Sequence, residues 1–529
     1  MSNQYSRPEY PPPNNPYPNQ PYTNQPFPNQ PYPKDDEVYH VQPDYETAQF
    51  GQKPEGSQNF DESFKIDKPR YNDWPFTILF LLVVGGFIAI AGITLNALRQ
   101  TFSLQGSSIY DSPDSFTLNT NTIILFSFVI VVAIVLSAGL IIFARVAPKF
   151  FITTGLILNI LLGLGTCIYY FVEHYYSAAI VFLIFTLFTA WCYWTARRRI
   201  PLSATILTIA IDVMKAYPST LVVSFLGVVI SGAFSVLFSV VLVATYVKFE
   251  PNNNNEACAA GGGGCSHAKV IGILVYVMFA GYYISEVFRN IIHVTISGVY
   301  GTWYYLANSD QGAPRLPALG ALRRALTYCF GSISFGSLIV SLIQLVRSIL
   351  QILRQSAIDN GEGWAACLIL IVDFLVSFIE GLVRYFNHYA YCYIALYGKS
   401  YLRSAKDTFE LLRYKGMDVL VNDCFINTSL NMYALFVGYL TALLSFFYLR
   451  FTSPAYNANG GYYAPVIAFA FLISGQITRV SLTVIESGIS TFFVALAKDP
   501  EVFQMTNRDK FDAIFRDYPQ VLQKITANH

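Results

Sequence analysis

Polar and ionisable side chains recur at helical spacing within two long apolar segments of the sequence. The first segment carries, at steps of three or four residues, Tyr282, Glu286, Arg289, His293 and Ser297. The second carries, at similar steps, Asp373, Ser377, Glu380, Arg384 and His388. Each set shares one helix face and predicts a polar stripe that faces protein or water rather than lipid. The ionisable members are candidates for a substrate path: Glu286, Arg289, His293, Asp373, Glu380, Arg384 and His388.

Tyrosines accompany both stripes, and aromatic rings are the groups that bind a quaternary ammonium ion. Such an ion donates no hydrogen bonds, and its attraction to a ring face contributes about 0.5–2 kcal/mol per ring. Glu286 and Glu380 would supply the counter-charge. The sequence therefore predicts a cation cage from Tyr282, Tyr283, Tyr385, Tyr389 and Tyr393. Ordinary packing is the alternative, because the chain has 37 tyrosines in all.

The same charges could instead pair with one another for structural reasons. Glu380 and Arg384 are four residues apart and could neutralise each other on one helix. Arg347 and Asp373 lie at similar distances from a hairpin centre near Asp359, so they could join two neighbouring helices. The last apolar segment carries a further pair on one face, Arg479 and Glu486. Buried charges are usually paired, so pairing and a substrate path both remain open.

The segments that carry these residues are long enough to cross a bilayer. Of 529 residues, 53% are hydrophobic and only 13% are charged, against about 25% charged in a soluble domain. A span needs about 20 apolar residues, and ten segments qualify: Pro75–Ala97, Thr122–Phe143, Phe150–Phe171, Ser177–Thr195, Thr220–Tyr246, Val270–Tyr304, Leu322–Leu353, Ala366–Tyr397, Phe425–Leu449 and Ala464–Leu496. The sequence predicts an all-α polytopic membrane protein with about ten transmembrane helices. Trp303, Tyr304 and Tyr305 are expected at the membrane interface.

Two terminal regions flank the predicted transmembrane domain, which covers residues 71–499. Residues 1–70 repeat a Pro-aromatic step followed by Asn-Gln, which favours a disordered cytosolic tail without a cleavable signal peptide. A docking strip for cytosolic modules that read Pro-Tyr ligands is the sharper interpretation of this tail. Residues 500–529 are expected to form a short cytosolic segment.

Lysine and arginine are concentrated in alternate loops, as in the runs at 197–199 and 399–415. By the positive-inside rule this pattern places both termini in the cytosol. Cys258 and Cys265 then share an outer, Gly-rich loop, where a disulfide is expected. The net charge of +1 excludes a basic field for nucleic acid. Metal-ligand spacing and catalytic motifs are absent from the sequence, so neither a cofactor nor a metal is expected, and the protein is not expected to be an enzyme.

Several motifs in the second half resemble the choline transporter-like family. The most specific is FNHYAYCYIALYGKSYLRSAKDTFELL from Phe386, which is similar to the family pattern Asn-x2-Ala-Tyr, Ala-x2-Gly and Ser-Ala-x4-Phe. Four other stretches also resemble the family, and they begin at Arg197, Glu286, Ala321 and Val484. The similarity covers residues 197–519, and the Pro-rich N-terminal region resembles the fungal branch.

The resemblance implies a ten-span transporter-like fold with both ends in the cytosol, and it implies quaternary-amine transport. The expected function is that of a plasma-membrane solute transporter, with choline or another organic cation as substrate and membrane lipid as the surrounding partner. The alternative is a non-transporting membrane scaffold. Its N-terminal tail and the predicted inner loop Gly398–Gly416 would recruit cytosolic proteins.

Overall fold

The computed structural model describes residues 70–101, 120–249, 267–307, 312–452 and 463–516. The described helices, numbered in chain order, are α1 (Trp74–Thr101), α2 (Thr120–Val146), α3 (Pro148–Val172), α4 (Tyr176–Ala196), α5 (Ile200–Ala216), α6 (Ser219–Phe249), α7 (His267–Leu306), α8 (Pro317–Leu326), α9 (Phe330–Asp359), α10 (Gly363–Tyr397), α11 (Tyr401–Thr452), α12 (Tyr463–Lys498), α13 (Pro500–Thr506) and α14 (Arg508–Arg516). These ranges contain no β-strand. The tail predicted for residues 1–70 lies outside them except for Arg70, and the cysteines of the predicted disulfide, Cys258 and Cys265, lie outside them altogether.

Ten stretches in the described ranges are long and apolar enough to span a membrane. Each of them overlaps one of the ten predicted segments, which confirms the all-α polytopic class. The outward faces of these helices are apolar, as at Leu82, Ile180 and Phe378. Such faces are what lipid tails require, because hydrocarbon provides no partners for polar groups.

Three helices depart from the predicted pattern in ways that a span count does not anticipate. Helix α5 follows a short 3-10 turn (Arg197–Arg199) and buries Ile206, Leu207 and Ile211 completely. The expected seventh span begins later than predicted, because α8 ends at Leu326 and α9 starts afresh at Phe330. Helix α11 has 52 residues, or about 78 Å at 1.5 Å per residue, so it extends well beyond a bilayer core of about 30 Å.

The aromatic residues at the end of α7, which were predicted at the membrane interface, are buried within the protein rather than exposed on the outer face of the bundle. Trp303 is 8% exposed, Tyr304 1% and Tyr305 7%. Short helix α13 covers them, and the ring of Phe503 stacks on Tyr304 with centroids 5.7 Å apart. Residues 500–516 therefore pack against the helical bundle.

Asp73, immediately before α1, connects the N-terminal ends of α9 and α11. Its carboxylate accepts hydrogen bonds from the Ser332 hydroxyl (2.6 Å) and the backbone N–H of Tyr401 (2.8 Å). These donors lie in the first turns of α9 and α11, where the partial positive charge of a helix N-terminus favours an anion. Gly331 permits the close approach, because a Cβ there would lie 2.4 Å from the carbonyl oxygen of Asn72.

Candidate functional site

A cavity of about 460 Å³ lies within the bundle, between α6, α7, α9, α10 and α12. Most of the residues that line it are polar. The charged and imidazole groups are Glu286, Arg289, His293, Arg384, His388, Arg479 and Glu486. Amides from Asn290, Asn387 and Gln476 complete the polar wall, together with hydroxyl groups from α6, α7 and α12. The cavity can therefore hold a small, polar or charged molecule.

Five of the seven predicted path residues line this cavity: Glu286, Arg289, His293, Arg384 and His388. Asp373 and Glu380 do not line it, but both are connected to it through ion pairs. The structure thus brings the stripes of α7 and α10 together at one cavity.

Three acidic and two basic side chains form a continuous ion-pair ladder that links α7, α9 and α10. Arg347 of α9 contacts Asp373 at 3.2 Å and Glu380 at 2.7 Å. Arg384 contacts Glu380 at 2.9 Å and Glu286 of α7 at 2.7 Å. Structural pairing is therefore confirmed for Arg347 with Asp373 and for Glu380 with Arg384.

The ladder ends at the cavity with a further, loosely held arginine. Arg289 lies 3.9 Å from Glu286, and its side chain is 63% exposed, against 9% for Glu286. Glu286 directs the same oxygen, Oε1, at Arg384 and at Arg289. Because a carboxylate inside a bilayer is stable only when it is paired, the ladder explains how this acidic group is kept at the cavity wall.

The two stripe histidines stack on each other at the cavity. Their ring centroids are 4.0 Å apart, with 18° between the planes. His293 Nε2 donates to the backbone carbonyl of His388 at 2.8 Å, and Nδ1 lies 2.8 Å from the Ser487 hydroxyl. A carbonyl oxygen only accepts, so Nε2 carries a proton and, in the neutral ring, Nδ1 accepts from Ser487. This bonding fixes the orientation of His293.

The five tyrosines of the predicted cation cage are not brought around one cavity. The Tyr282 hydroxyl hydrogen-bonds to Ser348 of α9 at 2.7 Å, and Tyr283 is fully buried against Phe80 and Phe279. Two others form a tilted ring pair elsewhere in the core, Tyr385 and Tyr389. Tyr393 lies near Tyr397 and the ammonium group of Lys399. No phenylalanine, tyrosine or tryptophan lines the cavity in the part of the chain that the structure describes.

The sequence did not lead us to predict that α6 lines the cavity, and it indicated only some of the lining residues of α12. Helix α6 presents small residues at a helical period: Ser224, Gly227, Ser231 and Ser235. Their spacing is a signal that could have been found, since small polar residues on one face of a span mark close helix packing or a polar path. Arg479 and Glu486 of α12, predicted to share one face, both line the cavity, together with Gln476.

A second polar cluster joins the C-terminal ends of α7, α10 and α12. The carboxylate of Asp499 accepts hydrogen bonds from Tyr305 at 2.6 Å and from Tyr397 at 3.1 Å. Tyr304 donates to the backbone carbonyl of the same residue at 2.9 Å. The bundle is thereby held together at this end, away from the cavity.

Residues 180–501, more than half of the chain, match the protein family described as "Plasma-membrane choline transporter". Protein PNS1 of Debaryomyces hansenii is 70% identical over 498 residues, which cover 94% of this chain and 97% of that relative. Protein PNS1 of Candida albicans is 68% identical over 497 residues, with 93% and 96% covered. Protein PNS1 of Saccharomyces cerevisiae is 53% identical over 473 residues, 88% of each chain.

Ten apolar helices, five of which line a partly open polar cavity, define a multipass membrane protein. The chain belongs to the choline transporter-like family, as the motifs beginning at Arg197, Glu286, Ala321, Phe386 and Val484 indicate. These three relatives are fungal, which agrees with the branch that the N-terminal region resembles. Within the described residues, no cluster of histidine, cysteine, aspartate or glutamate has the arrangement of a metal site.

Proposed function

We propose that this protein is a plasma-membrane transporter that carries a small organic solute with an ammonium group, such as choline, through the central cavity. The observation that carries the proposal is the cavity itself. Charged groups from α7, α10 and α12 converge on it inside a bundle whose outer faces are apolar. Ionisable side chains at membrane depth are costly, and they commonly mark a solute path.

Transport by alternating access requires that the cavity open to one side of the membrane at a time. The cluster of Asp499 with Tyr305 and Tyr397 closes the helix ends that the positive-inside rule assigns to the cytosol. We therefore propose that these contacts break when the cavity opens inward. Cytosolic termini, a disulfide between Cys258 and Cys265, and binding of Pro-Tyr-reading modules to residues 1–70 belong to the same proposal.

Uptake of radiolabelled choline into proteoliposomes that contain the purified protein tests this function. Saturable uptake is expected from the wild type. The double variant Glu286→Gln, Glu380→Gln is expected to lose it, because the variant removes the acidic groups that orient Arg384 beside the cavity. Glu173→Gln is the matched control, since Glu173 is exposed at the end of α3.

The outcomes of this experiment separate the two classes of function. Uptake by the wild type and the control, but not by the double variant, supports a path along the ladder. Uptake no greater than that of empty liposomes, for choline and for other amines, would favour the non-transporting scaffold. Size-exclusion profiles of all three proteins check that lost uptake does not come from unfolding.

A further inference from the structure

The charged groups that line the cavity differ in how closely they contact a group of opposite charge. Three guanidinium groups face it, from Arg289, Arg384 and Arg479, together with two carboxylates, from Glu286 and Glu486. Arg384 contacts Glu286 and Glu380 at hydrogen-bonding distance. Within the described residues, the other two arginines have no such contact with a carboxylate.

Arg479 forms no ion pair in the ranges that the structure describes, and it is exposed on the cavity side of α12. Arg289 has a 3.9 Å contact with Glu286, whose nearer partner is Arg384 at 2.7 Å. Each guanidinium carries five N–H donors. The two residues therefore bring unused donors and positive charge to one cavity.

This donor set matches an anionic group. Arginine binds carboxylate and phosphate through paired N–H donors, and these charge-assisted bonds are roughly twice as strong as neutral ones. A simple organic cation would gain nothing from Arg289 or Arg479 and would be repelled by both. It would also find no aromatic ring other than the two imidazoles on the described cavity wall.

We propose that the preferred solute is a zwitterion, whose carboxylate or phosphate binds Arg289 and Arg479 while its ammonium group lies toward Glu486. The identification of this ligand as a transported solute rests on the proposed function. The binding site itself does not, because it follows from the charges on the cavity wall. A quaternary amine that also carries an acidic group meets both requirements.

Three probes that share a trimethylammonium group and differ at the other end test the proposal: choline, trimethylglycine with a carboxylate, and phosphocholine with a phosphate. Isothermal titration of the purified full-length protein measures the affinity for each. At least one zwitterion is expected to bind the wild type 10-fold or more tightly than choline. Tenfold in the dissociation constant corresponds to about 1.4 kcal/mol.

Arg479→Gln tests the site most specifically. It removes none of the ion pairs among the described residues, so the fold is expected to persist. This variant, and the double variant with Arg289→Gln, should weaken zwitterion binding 10-fold or more and change choline binding less than twofold. Arg403→Gln is the control, since Arg403 is exposed near the start of α11 and does not line the cavity. Its affinities should equal those of the wild type.

The proposal is overturned if choline binds as tightly as both zwitterions, if neither zwitterion binds, or if the arginine variants keep the wild-type affinity. The binding assay also separates this proposal from the proposed function. Arginine-dependent zwitterion binding without uptake of any probe by proteoliposomes would refute transport alone. Zwitterion uptake that is unaffected by Arg289→Gln and Arg479→Gln would refute the zwitterion site alone.

Discussion

His293 and His388 stack with their ring centroids 4.0 Å apart, although 95 residues separate them in the chain. The stacking shows that the polar faces of α7 and α10 meet each other. The ion pair between Glu286 and Arg384, at 2.7 Å, joins the same two faces. One shared interface therefore carries the imidazole pair, the end of the ladder and part of the cavity wall.

The ladder should contribute to stability through Arg384. Arg384→Gln leaves Glu286 without its close partner and Glu380 with only Arg347, so it is expected to destabilise the protein by about 3–5 kcal/mol. Thermal unfolding in detergent measures the change. Arg145→Gln is the control, because the Arg145 side chain, paired with Asp212, is nearly half exposed and such pairs contribute at most about 1 kcal/mol. Equal melting temperatures for the two variants would show that the ladder does not stabilise the bundle.

The close approach of the α1 entrance to α9 should make Gly331 intolerant of a side chain. A methyl group there would lie 2.4 Å from the Asn72 carbonyl and 2.5 Å from that of Asp73, so Gly331→Ala must displace the backbone that holds Asp73. Its yield as a monodisperse protein should fall sharply. Gly381→Ala should behave oppositely, because a Cβ at Gly381 would meet no atom within 4 Å and alanine favours a helix by roughly 0.5–1 kcal/mol. Comparable losses in both variants would contradict this account.

The cage tyrosines should be dispensable for solute affinity. Tyr282→Phe removes the hydroxyl that bonds Ser348, and Tyr389→Phe alters a buried ring pair; neither change touches the described cavity wall. Choline affinity is expected to change less than twofold in each, as measured by titration calorimetry. A tenfold loss of choline affinity in either variant would indicate that these tyrosines bind the cation.

The buried hydroxyl of Tyr401 is expected to make the folded protein less stable at alkaline pH. It lies outside the candidate membrane spans, its hydroxyl donates to Asn387 at 2.5 Å, and burial raises its pKa to about 12. In the unfolded chain a tyrosine deprotonates near pH 10. Between about pH 10 and 12 the unfolded state therefore binds fewer protons than the folded state, and stability falls as the pH rises.

Tyr401→Phe should remove the part of the pH dependence of stability that comes from the Tyr401 hydroxyl. The variant is expected to be less stable than the wild type at pH 8, because the hydrogen bond is lost, and the difference should narrow as the pH rises above 10. Chemical unfolding at a series of pH values measures both. Tyr71→Phe, at an exposed position, serves as the control. A constant difference across the series would mean that Tyr401 does not titrate differently in the two states.

Local periodicity was sufficient to predict the ten membrane spans and the five path residues of α7 and α10 that line the cavity. Steps of three and four residues placed Glu286 with His293, and Arg384 with His388, on single helix faces. The same geometry explains why the tyrosines were misjudged. Tyr283, Tyr385 and Tyr389 each follow directly after a stripe residue, so each is rotated by about 100° from the stripe.

The remaining contributions depend on packing between distant helices. Nothing local in the sequence of α6 says that Ser231 lines the same cavity as His293, or that Arg479 of α12 does so. The burial of Trp303 was likewise unpredictable from its own segment, because it depends on Phe492 and Phe503 further along the chain. Arg347 and Asp373 were predictable because a tight hairpin fixes the register between α9 and α10.

The central claim is that solute occupies the cavity between α6, α7, α9, α10 and α12. The most direct test measures whether solute protects the variant Ser231→Cys from alkylation. Ser231 lines the cavity from α6, and its alkylation in membranes by a small water-soluble thiol reagent can be quantified at that site by mass spectrometry. The account predicts alkylation that slows at least fivefold with saturating choline or trimethylglycine, while alkylation of Cys367, exposed near the start of α10, is unchanged. Alkylation of Ser231→Cys at the same rate with and without every solute would contradict it.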